Sequence, residues 1–282
     1  MTESGLVRIP FRRELGQPAR DILDGRAAPA APRDAATVML LRPGAGGMEV
    51  YMLRRQTSMA FAAGMSVFPG GSVDPRDADE ELAWAGPDAA QWGRVFDASP
   101  AEARALVCAA VRETFEESGI MLAGATPDSV VADPTSEDWE ADRNALLDRS
   151  VSLAELLTRR HLVLRSDLLR PWSRWLTPVV EPRRFDTRFF AAALPEGQRT
   201  RDVGGEASAV FWTSPAEALA AGRRREMQLL PPTAVTLAEL AACGDLDGAL
   251  SRPPDVQVRM PEVQQHDGST WLTVPGVSEY PL

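Results

Sequence analysis

Three glutamates near the middle of the chain have the type and spacing of metal ligands. Glu113, Glu116 and Glu117 stand at i, i+3 and i+4, so a helix would place their carboxylates on one face, roughly 5–6 Å apart. Like charges at that separation repel each other, and a cation between them relieves the repulsion. Hard divalent cations such as Mg²⁺ or Mn²⁺ take oxygen ligands of this kind. The alternative is a solvent-exposed acidic face that ends in an ordinary glycine cap at Gly119.

A glycine pair upstream supplies a second feature of a ligand site. The short apolar segment Met65–Val67 predicts a strand, and it runs into Phe68-Pro69-Gly70-Gly71. Because glycine has no Cβ, the backbone at Gly70 and Gly71 can approach a ligand closely. We therefore expect a glycine turn that lies beside the glutamate helix and helps to bind substrate.

These two segments together resemble the Nudix box, Gly-x5-Glu-x7-Arg-Glu-U-x-Glu-Glu-x-Gly-U, where U is aliphatic or similar. Gly71 matches the opening glycine. The second half is matched by Arg112, Glu113, Glu116, Glu117, Gly119 and Ile120. Thr114 departs from the pattern at a U position. The middle Glu has no clear counterpart, since Asp77 lies six positions after Gly71 whereas Arg104 lies eight before Arg112.

The two halves of the box are unusually far apart. Arg112 follows Gly71 by 41 positions, 27 more than in the family pattern. One Nudix branch, similar to eukaryotic peroxisomal coenzyme A diphosphatases, carries a long insertion here. The segments 175–190 and 231–233 also look like this branch. The resemblance implies an α/β fold, namely a Nudix-type α/β/α sandwich with a mixed sheet and helical insertions.

The activity that the resemblance implies is metal-dependent hydrolysis of a nucleoside diphosphate derivative, with Mg²⁺ or Mn²⁺ as cofactor. The branch favours coenzyme A or acyl-coenzyme A, cleaved to 3′,5′-ADP and (acyl-)4′-phosphopantetheine. ADP-ribose, NADH and other nucleotides are alternative substrates. A Nudix-type module that binds a nucleotide without turning it over is a further alternative, although such modules typically lose box glutamates that this chain retains.

The box residues take different expected roles. Glu116 and Glu117 are the first choices for metal ligands, and Glu113 is the third. Either Glu113 or Glu206 is expected to deprotonate the attacking water. The case for Glu206 is that Nudix proteins often carry an acidic residue before the last core strand. Arg112 is expected to orient a helix carboxylate through an ion pair, and we count it with the catalytic residues.

Arginines are the expected phosphate ligands, since a planar guanidinium suits bidentate recognition of oxyanions. The alternative is that they only balance Asp186 and the acidic surface. The full set of expected substrate-binding residues is Gly70, Gly71, Arg54, Arg55, Arg183, Arg184 and Arg188.

The amino-acid composition excludes several classes of function. The net charge of −10 argues against a nucleic acid partner. All 30 basic residues are arginine, which excludes a P-loop lysine and a lysine Schiff base. The two cysteines indicate neither a disulfide framework nor a zinc site, and no stretch is long and apolar enough for a membrane span. A cytoplasmic protein with a small-molecule substrate is the prediction.

The chain is expected to comprise a loose leader (1–34), a Nudix domain (35–250) with insertions at 72–98 and about 125–170, and an extension (251–282). Asp267-Gly268 predicts a hairpin in this extension, and the hairpin is a candidate surface for a homodimer. The predicted helices are Ala78–Ala85, about Pro100 to Ser118, Ser136–Asp148, Leu153–Arg159, one that begins at Ser214-Pro215, and one from Pro231 through Leu240. The predicted strands are Ala36–Arg42, Met48–Arg55, Phe185–Ala192, Ala207–Trp212, Val256–Val263 and Thr270–Val274.

Overall fold

The structure is a computed structural model that describes residues 8–10, 15–57, 62–78, 82–202, 207–266, 269–275, 277 and 280–282. Its helices are α1 (Gln17–Leu23), α2 (Ala89–Phe96), α3 (Pro100–Ser118), α4 (Glu137–Leu147), α5 (Leu153–Arg159), α6 (Pro215–Arg223), α7 (Pro231–Cys243) and α8 (Leu246–Ser251). Its strands are β1 (Arg8–Pro10), β2 (Arg33–Gly44), β3 (Gly47–Arg55), β4 (Ser66–Val67), β5 (Gly70–Ser72), β6 (Trp84–Ala85), β7 (Ala123–Gly124), β8 (Val163–Arg165), β9 (Leu169–Leu176), β10 (Phe185–Ala193), β11 (Ala207–Thr213), β12 (Asp255–Arg259), β13 (Glu262–His266) and β14 (Ser269–Thr273).

A mixed sheet in the order β11-β3-β2-β10-β9-β12 forms the centre of the fold. β2 and β10 are parallel, whereas β2–β3 and β9–β10 are antiparallel. Side chains alternate across a strand, so Val38 and Leu40 pack toward α2 and α3 while Met39 and Leu41 pack toward α6 and α7. Helices therefore cover both faces, which confirms the predicted α/β/α sandwich.

The two predicted insertions contact each other. Residues 72–98 contain a 3₁₀ turn at Pro75–Ala78, then β6 and α2, and the second insertion contains α4, α5 and β8. β6 pairs with β8 in parallel, and β8 pairs with β7. The insertions are thus joined by a small sheet of their own. The helix predicted over 78–85 is wrong in its described part, because Trp84 and Ala85 take extended backbone to pair with β8.

The C-terminal region differs from its prediction in one strand. The segment 256–263 divides into β12 and β13, with Met260 and Pro261 between them. β12 joins the central sheet beside β9, and β13 and β14 form the predicted hairpin. Asp267-Gly268 itself lies outside the described residues.

β1 pairs with β14, so described parts of the leader and of the extension share one sheet. The domain boundaries and the homodimer stay predictions. Among the described helices, none combines the length and the apolar composition that a membrane span requires.

Candidate active site

Helix α3 is the element that carries the candidate catalytic residues, and its ends are fixed by the sequence. Ser99 accepts a hydrogen bond from the Glu102 N–H, and the Glu102 carboxylate accepts one from the Ser99 N–H, which is a capping box. Gly119 ends the helix in the left-handed conformation, at φ 73°. Most of α3 is buried, because it lies between the sheet on one side and α2 and α4 on the other. The predicted bounds of this helix are confirmed.

The glycine pair lies in a short strand rather than in the expected turn. Gly70 and Gly71 pair with Thr37 and Ala36 of β2, and the strand runs against α3. A Cβ at Gly71 would come within 2.4 Å of the Glu113 carboxylate, and one at Gly70 within 2.4 Å of the Ala36 carbonyl oxygen. Only glycine lets strand and helix approach so closely.

The backbone of this strand also binds a box glutamate directly. The Gly70 N–H donates a 2.8 Å hydrogen bond to Oε2 of Glu117. The glycines therefore position two of the three glutamates, Glu113 by close contact and Glu117 by a hydrogen bond. Their expected contact with substrate stays a prediction.

Arg112 lies at the centre of the ion pairs of this site. Its Nη1 lies 2.8 Å from Oε1 of Glu113 and 3.2 Å from Oε1 of Glu116. Its Nη2 lies 2.9 Å from Oδ2 of Asp77 and donates to the Ser72 carbonyl at 3.0 Å. The ion pair predicted between Arg112 and a helix carboxylate is present, and one guanidinium contacts three carboxylates at once.

Asp77 is the functional residue that the sequence left unassigned. It lies on the 3₁₀ turn, and its buried side chain accepts hydrogen bonds from both Nε and Nη2 of Arg112. Its position six residues after Gly71 was the available signal. Since Asp77 and Arg112 are 35 positions apart, the long insertion obscured the pairing.

Burial and crowding of like charges disturb the acids of this site. Burial raises the pKa of Glu113 to about 7, with the Arg112 charge opposing the rise and the Glu116 charge adding to it. Burial likewise raises the pKa of Glu116 and of Asp77, although Arg112 opposes both shifts. A bound cation would oppose these shifts, because it favours the ionised form of each carboxylate.

The oxygen donors of this site suit a divalent cation. Two of the candidate ligands, Glu113 and Glu116, form ion pairs with Arg112. Glu113, Glu116 and Glu117 offer hard oxygen donors on one helix face. Within the described ranges no three acidic, histidine or cysteine side chains converge in a geometry that would hold a metal ion. Nη1 of Arg112 contacts both Glu113 and Glu116. A cation held by all three glutamates would share Glu113 and Glu116 with the Arg112 guanidinium.

The predicted arginines divide into two groups. Arg54 and Arg183 are exposed, and Arg55 is half-buried at the end of β3; phosphate binding by these three stays a prediction. Arg184 and Arg188 are buried.

The buried pair is engaged in packing. Arg184 donates to the carbonyls of Thr177 and Ala30, and Arg188 forms ion pairs with Asp34 and Asp186. These contacts correct the phosphate-binding role that the sequence suggested for both residues. Glu206 lies outside the described residues, so its role as base also stays a prediction.

Two further residues position α3 and gave no signal in the sequence. Arg143, buried on α4, donates from Nη1 to the Glu116 carbonyl oxygen at 2.9 Å, where a positive charge suits a helix C-terminus. Tyr51, buried on β3, donates from its hydroxyl to the Arg201 carbonyl at 3.1 Å, and the Arg201 N–H donates to the Ser118 carbonyl at the end of α3 at 3.2 Å.

An α/β/α sandwich with a glycine strand and an Arg-Glu-x-x-Glu-Glu helix at one site defines the class of Nudix hydrolases. The family model described as NUDT19 Nudix domain matches residues 89–240, more than half of the chain, and the chain belongs to this family.

Solved and curated relatives agree with that membership. The chain is 31% identical to the acyl-coenzyme A diphosphatase NUDT19 of Gallus gallus, with 76% of this chain and 69% of the relative covered. The Xenopus laevis protein of the same name is 26% identical, with 83% and 71% covered. A NUDIX hydrolase from Alicyclobacillus acidocaldarius has a similar structure, with a TM-score of 0.66, 29% identity, and 80% of this chain and 98% of that one covered.

Proposed function

We propose that this enzyme hydrolyses the diphosphate bond of coenzyme A or acyl-coenzyme A, to give 3′,5′-ADP and (acyl-)4′-phosphopantetheine. The observation that carries the proposal is that two curated relatives, matched over about 70% of their own length, are named acyl-coenzyme A diphosphatases. The long insertion between the halves of the box agrees with this branch. A cytoplasmic location stays part of the proposal, supported by the cysteine usage.

The proposed cofactor is Mg²⁺ or Mn²⁺, held by Glu116 and Glu117, with Glu113 as the third ligand where Glu206 is the base. Such a cation would offset the charge of the diphosphate and polarise its phosphoryl oxygens. Arg112 would orient Glu113 and Glu116 through Nη1, and Asp77 would fix the plane of its guanidinium. Gly70 would hold the Glu117 carboxylate in place through its N–H.

The chain's own contribution to the chemical step is a proton acceptor. A carboxylate with a pKa of about 7 is suited to take a proton from water near neutral pH. Glu113 would accept that proton on a carboxylate oxygen as the water oxygen forms a bond to phosphorus. The P–O bond to the other phosphate breaks, and its bridging oxygen leaves with that phosphate. Glu206 is the second candidate for this role.

A substrate panel tests the proposal. The purified protein is incubated with Mg²⁺ and coenzyme A, an acyl-coenzyme A, ADP-ribose, NADH or 8-oxo-dGTP, and the products are identified by mass spectrometry. We expect the highest kcat/KM for coenzyme A or its thioester, with 3′,5′-ADP as a product. A clear preference for ADP-ribose or NADH would contradict the proposed substrate.

A single variant distinguishes the enzyme from a binding module. Glu117→Gln keeps the shape of the side chain but removes its charge, and turnover should fall by about 100-fold or more while the fold is retained. Glu196→Gln, at an exposed position, is the matched control and should retain activity. Negligible turnover in the wild type and in both variants would favour a module that binds nucleotide without cleaving it.

A further inference from the structure

The last turn of α3 carries two of the candidate metal ligands and depends on contacts from outside the helix. Glu116 and Glu117 lie in this turn, which ends at Ser118. The last carbonyl groups of a helix lack a partner within it, and helix ends open more readily than helix centres. The Gly119 N–H donates to the Phe115 carbonyl, so the carbonyls that follow Phe115 require partners from beyond α3.

Two arginines from beyond α3 bind those carbonyls. Nη1 of Arg143, on α4 in the second insertion, donates to the Glu116 carbonyl oxygen at 2.9 Å. The Arg143 side chain is only 3% exposed, so this hydrogen bond is shielded from competing water. The N–H of Arg201, in the segment that follows β10, donates to the Ser118 carbonyl oxygen at 3.2 Å. The turn that carries the ligands is therefore held on its main chain by two separate segments.

A single carboxylate connects the two arginines. Glu140, three positions before Arg143 on α4, accepts a hydrogen bond from Nε of Arg143 at 3.1 Å. Because Nη2 of Arg143 also donates to this carboxylate, the bidentate contact fixes the plane of the guanidinium. The Glu140 carboxylate also lies 3.1 Å from Nη2 of Arg201. The contacts therefore form a continuous chain between the two carbonyls of the last turn of α3.

Aromatic packing holds α4 beside the same turn independently of Arg143. Trp139 on α4 packs edge-on against Phe115, which is fully buried, with ring centroids 5.7 Å apart. The Arg160 guanidinium lies over the Trp139 ring, 3.7 Å from its centroid. Replacing Arg143 should therefore leave α4 in place and remove mainly the hydrogen bond to the Glu116 carbonyl.

We propose that Arg143 is a positioning residue for the metal site, so that the second insertion determines how tightly the glutamates of α3 bind a divalent cation. This inference rests on the proposed function. Mg²⁺ requires a nearly ideal arrangement of its ligands, and groups that orient a ligand commonly change metal affinity by about 10- to 100-fold. Because Arg143 acts on the main chain of Glu116, its removal should weaken cation binding more than it weakens substrate binding.

The test measures cation affinity without substrate. Mn²⁺ is titrated into the metal-free protein and followed by electron paramagnetic resonance for the wild type, Arg143→Met, Arg143→Lys and Arg159→Met. Arg159, on α5 in the same insertion, is the matched control, because its exposed side chain pairs with Asp142, which retains Arg160 as a partner. Arg143→Met should bind Mn²⁺ about tenfold more weakly than the wild type. Arg143→Lys should recover part of the loss, and the control should match the wild type.

Kinetics separates positioning of the metal ligands from a general loss of structure. With coenzyme A as substrate, Arg143→Met should need about tenfold more Mg²⁺ for half-maximal kcat, while the KM for coenzyme A at saturating Mg²⁺ stays close to the wild-type value. Equal Mn²⁺ affinity in Arg143→Met and the wild type, whatever the stability of the variant, overturns the inference. A raised KM for coenzyme A with an unchanged Mg²⁺ requirement also overturns it, and assigns Arg143 to substrate binding.

A second variant decides the inference if Arg143→Met does not fold. Glu140→Gln leaves the Arg143 charge in place but weakens the contact that orients it, and the Glu140 side chain is 37% exposed, so the fold should be retained. Mn²⁺ binding about threefold weaker than in the wild type supports the inference, and equal binding overturns it. A wild type that binds Mn²⁺ but cleaves neither coenzyme A nor its thioester contradicts the proposed function alone, whereas a wild type that binds no Mn²⁺ overturns the inference.

Discussion

Two clusters of arginine and carboxylate side chains, both partly or wholly buried, differ in their balance of charge. The Arg112 cluster consists of Asp77, Arg112, Glu113 and Glu116. The Arg188 cluster, on β2, β9 and β10, consists of Asp34, Arg174, Asp186 and Arg188. In the Arg188 cluster two guanidiniums meet two carboxylates, with closest contacts of 2.6 Å from Arg174 to Asp186 and 2.7 Å from Arg188 to Asp34.

The Arg112 cluster has three carboxylates for one guanidinium, and Glu117 lies on the same helix. A balanced cluster satisfies its own charges and stabilises the sheet. In the Arg112 cluster burial raises the pKa of Glu113 to about 7, and the neighbouring Glu116 charge adds to the rise. A bound cation would neutralise the excess negative charge of this cluster. Both clusters contain buried arginine, so arginine alone does not mark the candidate active site. The excess of carboxylates over guanidiniums distinguishes the Arg112 cluster from the structural ion pairs of the Arg188 cluster.

The largest expected effect is a loss of kcat on substitution of Glu113, whose pKa burial raises to about 7. Glu113→Gln removes the proposed proton acceptor, and kcat should fall by roughly 10²- to 10⁴-fold. Steady-state kinetics with coenzyme A and Mg²⁺ measures this effect, with Glu196→Gln as the control. A fall of less than about threefold would move the role of base to Glu206.

Replacing the central arginine of each cluster by methionine should separate effects on the free energy of unfolding from effects on kcat. Arg112→Met leaves three buried carboxylates without their shared partner and should lower the free energy of unfolding by about 3–5 kcal/mol. Arg188→Met leaves the partly exposed Asp34 without its partner while Asp186 keeps Arg174, so a smaller loss of about 1–3 kcal/mol is expected. Only in Arg112→Met should Mg²⁺ restore part of the loss, because a divalent cation can replace the missing charge. Urea unfolding with and without Mg²⁺ measures both.

The matching activity measurement uses the folded fraction of each variant. Arg188→Met should retain a kcat near that of the wild type, whereas Arg112→Met should lose most of it. Equal losses of kcat in the two variants would contradict the distinction between the clusters.

A smaller loss of kcat is expected from a substitution at Gly71, where β5 approaches α3. Gly71→Ala places a Cβ 2.4 Å from the Glu113 carboxylate, so the carboxylate must move by about 1 Å, and kcat should fall by up to about 100-fold. Gly46→Ala is the matched control, since nothing lies within 4 Å of its added Cβ and its φ is not positive. Similar kcat values for both variants would show that the close contact does not position Glu113.

The smallest effect concerns the pH dependence of the metal-free protein. Glu113 has a pKa of about 7 when folded and an ordinary value of 4.5, so the folded state binds more protons between these values. Its contribution to stability is present below about pH 4.5 and is lost as the pH rises through about 7. Wild-type stability should therefore fall from pH 5 to 8 more steeply than that of Glu113→Gln, by on the order of 1 kcal/mol. Urea unfolding in the presence of a chelator measures the slopes, and identical slopes would refute the assigned titration.

Local signals predicted α3 to α7, because the determinants of these helices lie at their own ends, but they missed α2 despite its capping box at Asp88 and Gln91. Ser99, Pro100 and Gly119 bound α3, and Ser152 with Glu155 forms a capping box at the start of α5. Strands β2 and β3 were predicted in the same way, from their own apolar runs.

Contacts between distant residues could not be predicted from the sequence. The pairing of β6 with β8 depends on two insertions about 80 positions apart, and Arg143 reaches Glu116 from a different helix. Arg184 and Arg188 had the residue type of phosphate ligands, but only the packing of β10 shows that they are buried. β12 is a strand of the central sheet because β9 offers it a partner.

Direct binding of a divalent cation tests the central claim, that the glutamates of α3 form an unbalanced cluster that takes a metal ion. Mn²⁺ is titrated into the metal-free protein at pH 8, and bound Mn²⁺ is followed by electron paramagnetic resonance for the wild type, Glu117→Gln and Glu196→Gln. We predict saturable binding by the wild type and by Glu196→Gln, and an affinity at least tenfold weaker for Glu117→Gln. Equal Mn²⁺ affinity in all three proteins, or none in the wild type, would contradict the account.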